Sequence, residues 1–141
     1  MNAEKILELY NEMNNFGRMM NMHFEVIRPG EIIYHLEITA EHLATREVAH
    51  GGALAGYMDA ILGVAALSGI GDEGKLVSTL EFKITYLSPA RKGDQLKGIG
   101  KVIKKGKRMV FAEGEIINQT NEVIAKGTGT FIAYPVEKMR G

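Results

Sequence analysis

The sequence predicts an α+β fold in which a curved antiparallel sheet of five or six strands wraps around one long apolar helix. Three observations predict it. The stretch from Gly51 to Ile70 carries a single charge, at Asp59. Runs with strand alternation stand on both sides of that stretch. The last three runs are joined by Lys105-Gly106-Lys107 and by Asn118-Gln119-Thr120-Asn121, both hairpin-type connections. A chain of 141 residues fits one domain, residues 1–141, with one core. One layer of sheet cannot enclose a helix that is apolar nearly all round, so a second copy of the chain is expected against its uncovered side.

Taken in order, Met1 to Met13 reads as an amphipathic helix, with Ile6, Leu7 and Tyr10 opposite Glu4, Glu8 and Glu12. It lacks the basic start and unbroken apolar run of a secretory signal, and a cytoplasmic location is expected. Arg28-Pro29-Gly30-Glu31 has Pro and Gly where a type II turn wants them. Ile32, Tyr34, Leu36 and Ile38 then alternate with Glu31, Ile33, His35 and Glu37 as in a strand. The Gly51–Ile70 stretch is long enough for a membrane span, and Gly52-x-x-x-Gly56 matches a membrane dimerisation pattern. A carboxylate near the centre of a span costs roughly 2.5–3.5 kcal/mol, and no basic cluster flanks the stretch. A buried helix of a soluble fold is the better reading. After it, Leu80, Phe82, Ile84 and Tyr86 alternate with Thr79, Glu81, Lys83 and Thr85. Three further strand-like runs follow, over about 94–104, 108–117 and 122–133.

Composition narrows the chemistry. The absence of cysteine excludes a disulfide scaffold, a thiolate metal site and a catalytic thiol. Seventeen basic against seventeen acidic side chains removes the general case for a nucleic-acid binder. The balance conceals an asymmetry: residues 1–74 carry four Lys/Arg against eleven Asp/Glu, and residues 75–141 carry thirteen against six. A basic second half suits an anionic ligand or an acidic neighbour. Within it, Lys101, Lys104, Lys105, Lys107 and Arg108 sit at a hairpin. They read either as a solvated turn that blocks edge pairing or as a group attracting phosphates. No aromatic residue is interleaved among them to stack bases.

The central helix carries the chemistry. At 100° per residue, Gly52, Gly56, Asp59 and Gly63 fall within about 60° of one another, with Leu54, Tyr57, Met58, Ile61 and Val64 opposite. Each glycine costs the helix about 1 kcal/mol relative to alanine, so a packing or binding role should compensate. Asp59 reads either as part of a buried polar network or as a working carboxylate on a bare, glycine-lined face. His50-Gly51-Gly52 opens the helix, either as a cap or as a place where uncovered N–H groups polarise a carbonyl. Gly51 and Asp59 are eight residues apart, roughly 12 Å along a helix. They cannot both reach one carbonyl from the same chain, but two antiparallel helices would bring Gly51 of one copy to Asp59 of the other.

These residues resemble the PaaI-like branch of the hotdog-fold acyl-CoA thioesterases. The likeness rests on H-G-G-x6-D at the central helix, on Val77-Ser78-Thr79-Leu80-Glu81-Phe82, and on Tyr86-Leu87-Ser88-Pro89-Ala90. It runs from about His23 to Tyr134. It implies a homodimer with sheets joined edge to edge, a dimer of dimers, and hydrolysis of coenzyme A thioesters with no metal or redox cofactor. Position by position it makes Asp59 the catalytic carboxylate, Gly51 the backbone donor to the thioester oxygen and His50 the residue that orders this loop. Ser78 is a strand hydroxyl that helps place water, and strict alternation puts it on the inward face with Leu80, Phe82 and Ile84. Gly52, Ser78, Thr79 and Glu47 form the implied substrate-binding set. The family's usual Asn is replaced by Ala44, where Thr45 or Glu47 stands nearby as a substitute. Arg91, Lys92, Lys104, Lys105, Lys107 and Arg108 would share the phosphates of coenzyme A, and Tyr57, Met58, Leu62 and Phe82 would line the acyl pocket. No membrane or nucleic-acid partner is expected. The alternative is a non-catalytic acyl-CoA binding or sensing module on the same fold. A hotdog hydratase or dehydratase is less favoured, because those enzymes arrange His and acid differently.

Overall fold

A computed structural model describes residues 2–138, so Met1 of the expected first helix lies outside the described residues. Helices α1 (Ala3–Met13) and α2 (Asn15–Met20) lead into strands β1 (Met22–Arg28) and β2 (Glu31–Glu37). A loop with one 3-10 turn, Ala40–His42, reaches the long helix α3 (Gly51–Ile70). Strands β3 (Lys75–Tyr86), β4 (Gln95–Lys105), β5 (Met109–Ile117) and β6 (Val123–Pro135) follow. All pairings are antiparallel, in the order β1-β2-β4-β5-β6-β3, which leaves β1 and β3 at the edges. The type II turn before β2 is present, with Gly30 at φ +84°. Strand β1 turns only Met22 and Phe24 toward the core, too short an alternation to stand out in the sequence.

The amphipathic helix expected over Met1 to Met13 is α1, and a short second helix that the sequence did not suggest, α2, continues the segment. Asn14 separates the two, and its side chain accepts from the Gly17 N–H at 3.0 Å to cap α2. The same amide donates to the Tyr34 hydroxyl at 3.0 Å, tying the corner to the core. Arg18 reaches back to the carbonyls of Asn11 and Glu12 at 2.9 and 2.8 Å, satisfying acceptors at the end of α1. Ile6 of α1 packs with Leu67 and Leu76 in a small second cluster. Part of the α3 face that the sequence leaves to a second copy is therefore covered by the chain's own N-terminus. What stays open is the first half of α3: Gly51 and Gly52 are exposed, and Ala53, Ala55, Gly56, Asp59, Ala60 and Gly63 are partly so.

Helix α3 with its following turn is long and apolar enough to cross a bilayer, yet 61% of that window is buried inside the protein. Tyr57, Met58, Ile61 and Leu62 are wholly buried against the sheet, each large apolar side chain contributing about 1.5–3 kcal/mol. A cross-strand row of glycines, Gly100 on β4, Gly114 on β5 and Gly127 on β6, lets the helix lie this close. A Cβ at Gly100 would stand 2.7 Å from the Ile61 carbonyl oxygen, a backbone atom that cannot move aside. Gly100→Ala is accordingly expected to destabilise the fold by about 1–3 kcal/mol, read as a lower urea midpoint. An unchanged midpoint would contradict this seating.

Strand β3 breaks the expected alternation. Its pairing with β6 shifts register between Thr79 and Glu81, a bulge that reverses parity. Thr79 faces the helix before the bulge, as its bond to Asp59 shows. Phe82 and Ile84 pack against the core after it. Leu80 is 51% exposed. Ser78 therefore does not share an inward face with Leu80, Phe82 and Ile84.

Candidate active site

Asp59 stands midway along α3 and opens onto a cavity of about 640 Å³. The cavity runs between the α3 stripe Gly56, Asp59, Ala60, Gly63 and Leu67, the first half of β3 with Ser78 and Thr79, the end of β6 with Phe131 and Tyr134, and the α1–α2 corner. The glycine stripe is thus a cavity wall, partly roofed, and not a bare face. Thr79 donates through Oγ1 to Oδ1 of Asp59 at 2.9 Å. That bond fixes the carboxylate and leaves Oδ2 without a partner among the described residues. Tyr10 also borders the cavity. Burial first, then Tyr34 and the Asp59 carboxylate, push its phenol well above the ordinary tyrosine range, so it remains a donor at any working pH.

The start of α3 supplies the second element. His50 is the N-cap, and its Nδ1 accepts from the Gly52 N–H at 2.8 Å. The next two N–H groups, of Ala53 and Leu54, both reach the His50 carbonyl, at 3.0 and 3.3 Å. The bond from Leu54 is the first regular one of the helix, so the four N–H groups that the helix start leaves over are those of His50, Gly51, Gly52 and Ala53; that of His50 reaches the His42 carbonyl, and only that of Gly51 has no partner among the described residues. This narrows the expectation that both glycines offer donors: Gly52 spends its own on the cap. Tyr86 donates from its hydroxyl to the Gly51 carbonyl at 2.5 Å, holding this turn against the end of β3. Val48, Gly51, Tyr86 and the Ser88-Pro89-Ala90 turn border a cleft of about 390 Å³ here. A carboxylate with one free oxygen and a single unpartnered N–H at a helix start are the two parts that acyl transfer to water requires.

The family model described as the thioesterase superfamily matches residues 47–125, which takes in α3, the Ser78-Thr79 segment and the Arg91-Lys92 turn. The chain belongs to the thioesterase superfamily. By family it is a thioester hydrolase. It is 28% identical over 128 residues to human "Acyl-coenzyme A thioesterase 13", covering 89% of this chain and 90% of the relative. The Escherichia coli PaaI protein superposes with a TM-score of 0.85 over 94% of this chain and 93% of that one, at 22% identity, which establishes the hotdog fold. A Streptococcus mutans protein solved bound to acetyl CoA matches with a TM-score of 0.74 at 26% identity, over 82% of this chain and 90% of that one.

Against that background, the site residues of this thioesterase fall into separate groups. Asp59, Thr79 and Ser78 share the cavity; Thr79 touches the carboxylate and Ser78 does not. Gly51 lies on the same helix as Asp59, roughly 12 Å away, and the fold does not bring the two together within one chain. Glu47 is exposed and lines neither space. Its carbonyl accepts from the Lys92 N–H at 2.8 Å, and Val48 bridges to Arg91. Arg91 and Lys92 therefore flank the start of α3. The Lys104–Arg108 hairpin is at the other end, where Lys105 pairs with Glu73 and reaches the Gly69 carbonyl at 3.4 Å. Bonding to Lys105 holds the Glu73 carboxyl below its ordinary range. Within one chain the two basic groups cannot share one set of phosphates, because the length of α3 separates them. Tyr57, Met58 and Leu62 are core residues, not pocket walls, and Phe82 packs against that core.

Sequence reasoning missed several residues that shape this candidate site. His42 is buried; its Nδ1 accepts from the Thr39 N–H at 2.9 Å and its Nε2 meets the Met20 carbonyl at 3.0 Å. Its carbonyl in turn accepts from the His50 N–H at 2.7 Å, so it orders the loop that delivers the helix start. Nothing in its local sequence distinguishes it from a solvent-facing turn histidine. For Tyr86 the alternation gave only a strand position beside Ile84, and its bond to the Gly51 carbonyl, which sets it at the helix start, comes from the fold. Tyr10, Asn14 and Phe16 were not legible, because contacts between α1–α2 and α3 leave no local pattern.

Proposed function

We propose that the protein hydrolyses acyl-coenzyme A thioesters to the free acid and coenzyme A, at a site completed by two copies of the chain. Asp59, through its free Oδ2, acts as nucleophile or as general base on water. The Gly51 N–H of the other copy donates to the thioester oxygen as negative charge builds there. The carbon–sulfur bond then breaks, and the departing sulfur takes a proton to leave as the thiol. Carboxylate, N–H and water suffice, so the reading calls on no metal or redox cofactor. Arg91 and Lys92, beside the Gly51 end, are assigned to the nucleotide phosphates.

The single observation that carries this reading is the pairing of a Thr79-held carboxylate with a lone free N–H too far along the same helix to serve the same carbonyl. The human relative's name and the acetyl CoA held by the Streptococcus mutans protein support the substrate class. The dimer is supported by β3, a 12-residue edge strand that pairs on one side only, and by Leu80, Tyr86 and Leu87, each about half exposed. The test is thiol release from a panel of acyl-CoAs, with light scattering on the same sample. Turnover by a dimer or larger assembly is expected. Tight acyl-CoA binding without turnover would replace hydrolysis with the binding-module reading, and an active monomer would remove the shared site.

A further inference from the structure

Phe16 occupies an unusual place for a phenylalanine. It is 43% exposed, so it is not a core residue, yet its ring lies directly on the backbone of α3. A Cβ at Gly56 would stand 2.7 Å from Phe16 Cζ, which is the packing role that offsets a glycine in mid-helix. Gly56 is three residues before Asp59, so the ring covers the cavity beside the carboxylate one helical turn away. Phe16 does not wander from this position easily. It sits in α2, whose N-cap Asn14 is bonded both to Gly17 and to Tyr34, and whose Arg18 clamps the end of α1. Of the other large apolar walls, Leu67, Leu76 and Phe131 are buried in the fold and cannot change without repacking it, and Met13, 40% exposed, stands on the same corner without lying on the α3 backbone at Gly56. Phe16 is a large, half-exposed wall on a separately built corner, where size can change at little cost to the core.

We infer that Phe16, seated on Gly56, sets how bulky an acyl group the site admits. This rests on the acyl-CoA reading above and specifies which residue controls its selectivity. A smaller side chain opens the cavity beside Asp59 and lets larger acyl groups reach the carboxylate. Acetyl, which needs no such room, gains nothing. One methylene's worth of apolar contact changes kcat/KM by about 10-fold or more, so a whole ring should register clearly.

The test is kcat/KM on acetyl-, hexanoyl-, decanoyl- and palmitoyl-CoA for the wild type, Phe16→Leu and Phe16→Ala. The ratio of the longest accepted acyl group to acetyl should rise by about 10-fold in Phe16→Ala, with Phe16→Leu in between. Gly56→Ala should lower kcat/KM on the longer acyl groups when Phe16 is present and have little effect in the Phe16→Ala background, because the added methyl then meets no ring. Unchanged acyl ratios in both Phe16 variants, in a wild type that hydrolyses the panel, would overturn the inference and leave the acyl-CoA reading intact. A wild type that hydrolyses none of the panel would overturn that reading and this inference with it. Phe16→Leu keeps the test decisive if Phe16→Ala loosens the corner.

Discussion

Asp59→Asn is expected to lower kcat by about 10²–10⁴-fold, the usual contribution of a positioned general base or nucleophile. The substitution is nearly isosteric, and its amide oxygen still accepts the Thr79 hydroxyl bond now made to Oδ1. The side chain is only partly buried, so folding and assembly should survive. The loss should therefore appear in kcat with little change in the thermal midpoint. An Asp59→Asn protein that retains wild-type turnover refutes a chemical role for the carboxylate. One that no longer folds would make Asp59 a structural member of the α3–β3 contact instead.

Gly51→Pro should be nearly as damaging, by about 10²–10³-fold in kcat, the cost of removing one oxyanion donor. The substitution deletes a single N–H and sets the proline ring carbon Cδ in its place. Gly51 is the first residue of α3, where proline is well tolerated. His50 before it has φ −66° and ψ 137°, the extended conformation that a residue preceding proline prefers. A Cβ at this position meets nothing closer than the Tyr86 hydroxyl at 3.4 Å. Gly51→Ala, which adds the same Cβ but keeps the N–H, is the control and should retain most activity. Equal losses in the two variants would mean that space, and not the donor, matters at Gly51.

The parts of this protein that the sequence made legible are those with a local signature. The α3 stretch, the β2 alternation, the Pro29-Gly30 turn and the two hairpins each follow from spacing within a dozen residues, and each is in the fold. The β3 bulge is not local. It depends on how twelve residues of an edge strand match β6, and it moved the inward hydroxyl from Ser78 to Thr79. The glycine row that seats α3 is likewise a cross-strand relation between residues far apart in the chain. The expected role of Gly52 gave way for a capping reason: an N-cap histidine with a free Nδ1 takes the donor two residues on. Three of the expected pocket walls were misassigned, although the helix wheel already sets Tyr57 and Met58 opposite the glycine stripe. The sheet took Tyr57, Met58 and Leu62, and left the small residues to the cavity.

The central claim is that Asp59 of one copy works with the Gly51 N–H of another. Subunit complementation tests it directly. Asp59→Asn and Gly51→Pro chains, each nearly inactive alone, are mixed under conditions where native mass spectrometry shows subunits exchanging. In a two-fold dimer each mixed pair holds one site with both groups intact, so the mixture should recover about a quarter of wild-type activity. A mixture that exchanges subunits and stays as inactive as its components would mean that the two groups do not meet across copies, and the shared active site would be wrong.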